Sequence, residues 1–129
     1  MKLIIASDIH GSSYYCSLLL EKVKAENPDR LLLLGDILYH GPRNDLPRDY
    51  DPKKVTAALK EINDKILCVR GNCEAEVDQM MLSFPVLADY AFLFDGKTKI
   101  TATHGHKLDS YAPPKSDEVI VYGHTHVPV

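Results

Sequence analysis

"KLIIASDIHG", Lys2 to Gly11, decides the fold. Its apolar core is too short for a helix and rich in leucine and β-branched residues, so it reads as a buried strand. A carboxylate (Asp8), an imidazole (His10) and a glycine (Gly11) follow at once. The construction recurs along the chain in "RLLLLGD" (30–36), "KILCVRGN" (65–72), "KITATHGH" (99–106) and "VIVYGHTH" (119–126).

Helical patterns separate the first of these strands. Ser12 or Ser13 can cap "SYYCSLLLEKVKAEN", where Tyr15, Leu19 and Val23 recur at helical spacing and Pro28 marks the end. Asp51 as N-cap and Pro52 as first residue predict a second helix, with Val55, Ala58, Leu59 and Ile62 on one face. A third is expected over 74–84, with Val77, Met80, Met81 and Phe84 as its buried stripe. Between 39 and 51 lies a proline-broken loop, long enough for a compact domain to suggest a functional role. Further on, Asp95-Gly96 between apolar runs signals a hairpin. This βαβα order followed by hairpin strands predicts an α/β layer architecture around a sheet.

With 129 residues, 45% of them apolar, the chain supports one domain spanning 1–129 and leaves no room for two. Its net charge of −3 and lack of a basic run give no nucleic-acid-binding module and no anionic-membrane footprint. The first apolar run is too short for a signal-peptide core and no stretch approaches a membrane span, so a cytoplasmic location is expected. Cys16, Cys68 and Cys73, an odd set without CxxC spacing, argue against a disulfide framework.

Asp8, His10, Asp36, Asn72, His104, His124 and His126 stand after the carboxyl ends of five predicted strands. Ligands of open α/β sheets bind at that edge, so these residues are expected to converge there. Five of the seven glycines (Gly11, Gly35, Gly71, Gly105, Gly123) flank these positions, where loops crowding an ion need tight turns or close approach. Any single such pair is an ordinary turn; all five together are not. Carboxylates, a carboxamide and imidazoles without thiolate suit Mn²⁺, Fe or Zn²⁺. Seven ligands exceed one tetrahedral ion and suit two ions sharing a bridging carboxylate.

Taken in order, "DIHG", "GD", "GNCE", "HGH" and "GHTH" resemble the motif string of calcineurin-like metallophosphoesterases over essentially the whole chain, with "GDILYHGPRN" and "RGNCE" similar to the small bacterial manganese-dependent phosphodiesterases. That resemblance implies a layered β-sandwich core flanked by helices, and a hydrolase acting on small phosphodiesters with two divalent ions. Mn²⁺ is expected, with Fe, Zn²⁺ or Ni²⁺ as alternatives. By position it implies Asp8, His10 and His126 on one ion, Asn72, His104 and His124 on the other, and Asp36 bridging them. A metal-bridging hydroxide would attack phosphorus in line, with the Asn72 amide in reach of the phosphate.

Cys73 departs from the wider superfamily, which places a leaving-group histidine after the motif asparagine. A thiol at a helix start can have a lowered pKa but donates hydrogen bonds weakly, which favours diesters over monoesters. His106 is a candidate for the catalytic site through the substrate or a ligand, and His40, Arg43 and Asn44 are candidates for substrate binding. Arg70 is expected in an ion pair. The rival reading is a catalytically weak or inactive binding or scaffold module of the same fold, and a nucleotide-sensing domain is a further one. The complete ligand set favours the enzyme. Relatives continue past "GHTH" through strands that complete a second sheet, whereas this chain stops at Val129. The expected consequence is a C-terminally short domain whose "VIVYG" edge is open to self-association or a completing partner chain.

Overall fold

The structure, a computed structural model, describes residues 1–127; the expectation attached to the stop at Val129 lies outside them. Strands β1 (Leu3–Ala6), β2 (Arg30–Leu33) and β3 (Ile66–Cys68) form a parallel sheet in the order β1-β2-β3. Helices α1 (Ser13–Glu26) and α2 (Pro52–Lys60) make the two crossovers. A short helix α3 (Glu76–Met81) follows β3. A second sheet contains β4 (Tyr90–Asp95), antiparallel to β5 (Thr98–Thr103), and β6 (Glu118–Val121), parallel to β5.

The unbroken apolar run of β2 follows from burial on both faces. Leu31 and Leu33 pack toward Cys16, Leu20 and Val23 of α1 and Val55 and Leu59 of α2. Leu32, Leu34 and Val69 pack instead with Leu93 and Ala102 of the second sheet. Helices, parallel sheet and mixed sheet are therefore stacked layers, and the sandwich with flanking helices expected from the motif string is the observed architecture. Two helix starts also follow the sequence. The Ser12 side chain accepts from the Tyr15 amide, and the Asp51 side chain from the Lys54 amide with Pro52 opening the helix. Asn27 closes α1 in the left-handed region at φ 42°.

Two predicted stripes are displaced. On α1 the buried positions are Cys16, Leu20 and Val23, while Tyr15 is 57% exposed. On α3, Val77, Met80 and Met81 all face outward, and only Phe84, beyond the helix end, is buried. The helix is shorter than expected and turns a polar residue inward. Asp78 is buried, its carboxylate accepting the Ala75 amide at 2.8 Å. A six-residue helix is too short for hydropathy spacing to set its orientation, so the local carboxylate staple prevails.

Candidate metal centre

The carboxyl ends of β1, β2 and β3 open toward one edge, where their loops run side by side. The Asp8 amide donates to the Gly35 carbonyl (3.0 Å), His10 to Asp36 (2.9 Å) and Gly11 to Ile37 (2.8 Å). From the second sheet, the Gly123 amide donates to the His104 carbonyl (2.8 Å), placing the "GHTH" turn beside the end of β5. Two glycines permit this crowding by having no side chain. A Cβ on Gly71 would collide with the Asp36 carboxylate, and one on Gly123 with Ser7 and Asp8.

All seven predicted residues meet at this edge in two groups. In one, the Asp8 Oδ1 lies 3.2 Å from His126 Nε2 and 3.4 Å from His10 Nε2, with the two imidazole nitrogens 3.3 Å apart. In the other, His104 Nε2 lies 3.0 Å from both Asn72 Oδ1 and His124 Nδ1. Asp36 Oδ2 sits between them, 3.2 Å from His104 Nε2 and 3.8 Å from His10 Nε2. The floor is buried, with His104 at 0%, Asp36 at 2% and His10 at 6% exposure, whereas Asn72 and His126 are exposed at the mouth. The "GHTH" segment is not extended. His124 and His126 have φ of 71° and 59°, which turns one imidazole to each group. Asp8, His10 and Asp36 also have positive φ, so five of the seven non-glycine positive-φ residues among those described belong to this cluster. Backbone strain of this kind gathers at functional sites.

The donor set fits divalent cations. The buried imidazoles of His104 and His10 point Nδ1 at the carbonyls of Leu34 (2.7 Å) and Tyr39 (2.8 Å), where only N–H can bond. Their Nε2 lone pairs are thereby aimed at the cluster. Asp8 Oδ2 takes the His124 amide (2.9 Å) and the Ser7 hydroxyl, leaving Oδ1 buried without a hydrogen-bond partner. Lone pairs converging at these separations repel unless a cation or protons lie among them. Burial would raise the carboxyls, but their polar and imidazole neighbours outweigh it. The adjoining His10 imidazole, the Ser7 hydroxyl and the His124 amide hold Asp8 below the usual carboxylate range, and the adjoining His104 imidazole and the Cys73 amide do so for Asp36. The same pairings shift the imidazoles. The Asp8 carboxylate beside it raises His10 against an opposing desolvation, and for His104 burial is overcome by Asp36.

Glu74 is the residue that sequence reading missed. Its buried carboxylate accepts the amides of Asp36 (2.9 Å), Ile37 (2.8 Å) and Gly71 (2.6 Å), tying the loop after β2 to the loop after β3. Burial outweighs these bonds and raises its pKa. The only signal was a carboxylate two residues beyond Asn72, which any helix start could carry. Arg70 makes no ion pair among the described residues and donates to the Glu74 carbonyl (3.2 Å).

A cleft of about 550 Å³ opens over the cluster, bordered by Arg43, Asn44, Asn72 and Cys73. Burial, and then the charge of Asp36, push the Cys73 thiol up to about 12, so the lowered thiol pKa considered from its helix-start position does not occur. His106 is exposed and does not line the cleft, its ring 5.4 Å from that of His104 and 6.0 Å from that of His124. His40 does not line the cleft. Its ring packs edge-on against Tyr39 and Tyr50, while its carbonyl accepts the Asn44 side-chain amide at 2.9 Å.

The calcineurin-like phosphoesterase superfamily domain model matches residues 1–129. Phosphodiesterase YfcE of Escherichia coli K12 is 46% identical over 131 residues, covering 100% of this chain and 71% of that protein. The solved structure of Yfce, a phosphoesterase from E. coli, superposes with a TM-score of 0.95 at 45% identity, over 100% of this chain and 72% of that one. A conserved uncharacterized Streptococcus pneumoniae TIGR4 protein, described as a predicted phosphoesterase, superposes with a TM-score of 0.56 at 26% identity, over 99% of this chain and 64% of its own.

Proposed function

This chain belongs to the calcineurin-like phosphoesterase superfamily and is a phosphoesterase of the phosphodiesterase type, and from that premise we propose that it hydrolyses small phosphodiesters at a centre of two divalent ions, Mn²⁺ foremost. Asp8, His10 and His126 would hold one ion, Asn72, His104 and His124 the other, with Asp36 shared between them. The observation that carries this reading is the placement of the Asp36 carboxylate between two groups of converging lone pairs. Two such ions supply an activated water at neutral pH and neutralise the phosphate charge.

The chain's own residues do the rest. Asp36 is oriented by the Cys73 amide on Oδ1 (2.8 Å), which leaves Oδ2 for the cluster. The Asn72 side chain turns Oδ1 to the cluster and its NH₂ toward Cys73 (3.6 Å) at the cleft, where it can donate to a phosphate oxygen. Arg43 and Asn44, on the cleft wall, grip the remaining phosphate oxygens, and His40 places Asn44 through its carbonyl. His106 stands beside His104 and His124 and acts on the site through them. Cys73, held as a neutral thiol, assists a leaving group poorly, which favours diesters with stable leaving groups over monoesters.

Turnover of bis-p-nitrophenyl phosphate with Mn²⁺ tests this reading against that of a binding or scaffold module. The native chain is expected to hydrolyse it, and Asp36→Asn to lose activity by roughly two orders of magnitude or more. Binding of the diester without turnover by the native chain would favour the module.

A further inference from the structure

The cleft over the cluster shares His10, Asn44 and His126 with a second hollow of about 460 Å³. Beyond these shared residues the two differ in chemistry. The cleft continues into Asp36, Arg43, Asn72 and His124; the hollow continues into Ile9, Tyr15, Leu19 and Pro47. A hollow whose exposed surface is mainly apolar but which also carries polar groups, here Ser7, Asp8, His10, Asn44, Asp45 and His126, is a common form of organic-ligand subsite. Tyr15 is its aromatic wall, and it serves no core, being 57% exposed. It is nevertheless fixed in place. Its amide bonds the Ser12 cap at the first turn of α1, and its ring meets Tyr14 edge-on at 5.0 Å, itself covered by the Arg48 guanidinium at 3.7 Å. Asp45 also faces the hollow, and its carboxylate disfavours an anionic occupant.

A phosphodiester has two alcohol arms. In-line attack from the ligand cluster sends the leaving oxygen away from that cluster, whereas this hollow is partly lined by the cluster residues Asp8, His10 and His126 themselves. An arm lying in it is therefore the one that stays on phosphorus. We propose that this hollow binds the retained alcohol of the diester and selects a neutral, planar aromatic group stacked on Tyr15. The inference rests on the phosphodiesterase reading above. In the reaction, water oxygen bonds to phosphorus, the bond to the other alcohol breaks, that alcohol oxygen takes a proton, and the aryl monoester remains.

The test compares phenyl p-nitrophenyl phosphate with methyl p-nitrophenyl phosphate, two diesters with the same leaving group. The quantity read is the ratio of their kcat/KM values with Mn²⁺, in the native chain, Tyr15→Ala and Tyr15→Phe. Taking that ratio between variants cancels the intrinsic reactivity of the esters. Loss of the aromatic wall is expected to lower it by about fivefold to tenfold in Tyr15→Ala and to leave it unaltered in Tyr15→Phe. Calorimetry should likewise give phenyl phosphate an affinity advantage over methyl phosphate that Tyr15→Ala removes. An unchanged ratio in Tyr15→Ala, with both diesters turned over, overturns the subsite while leaving the phosphodiesterase reading intact. Turnover of neither diester by the native chain removes that reading and the subsite with it.

Discussion

At the residue scale, the centre is organised by which atom of each side chain is already engaged. His104 and His10 commit Nδ1 to backbone carbonyls, Asp8 commits Oδ2 to Ser7 and His124, and Asp36 commits Oδ1 to Cys73. Each is left with one free lone-pair atom directed at its neighbours. Residue types and order made the members of this set legible in sequence. Their committed atoms were not, because the partners are carbonyls and amides of other loops. Cys73 shows the same limit, since its position at a helix start says nothing of the Asp36 charge and the burial that keep it a thiol. Cys73→His replaces this poor donor with an imidazole at the cleft and is expected to raise the monoesterase to diesterase ratio by about tenfold, within the usual reach of general-acid assistance. Parallel kcat/KM measurements on p-nitrophenyl phosphate and bis-p-nitrophenyl phosphate check this, and an unchanged ratio would refute a leaving-group role for position 73.

At the element scale, strand ends matter more than helices. The strands follow from runs buried on both faces, as in Leu31 to Leu34, where hydropathy and structure cannot disagree. Helix faces were harder to read. On α1, Tyr15 shares the helical spacing of Leu19 and Val23, yet the true core line runs through Cys16 and Leu20, and an amphipathic tyrosine can sit on either side of that boundary. On α3, the Asp78 staple overrides the methionine spacing. Glu74 joins two elements that are far apart in sequence, so no local pattern could reveal it. Replacing it by Gln substitutes an amide donor for one acceptor oxygen and faces it with backbone N–H groups. Glu74→Gln is therefore expected to lower stability by about 1–3 kcal/mol in urea unfolding. It should also weaken Mn²⁺ binding by about 10-fold or more, as loss of a ligand-orienting contact does. A variant with native stability and native metal affinity would show that the staple is dispensable.

At the scale of the whole molecule, one parallel sheet packs helices on one face and a mixed sheet on the other, and the centre sits where the loops of both sheets meet. The proposed ligands come from both, so occupation of the centre should clamp the layers together. Saturating Mn²⁺ at about 100 times its Kd is expected to add about 2.7 kcal/mol to stability, seen as a rise of several degrees in Tm that excess chelator reverses. No helix among the described residues is long and apolar enough to cross a membrane. Among those residues β6 pairs only with β5, and Val119 on it is 45% exposed. The central claim, two ions divided by Asp36, is tested most directly by Mn²⁺ content after equilibrium dialysis of the native chain and Asp36→Asn. The account predicts about two ions per native chain and fewer in the variant. One ion or none in the native chain, or two in both, would contradict it.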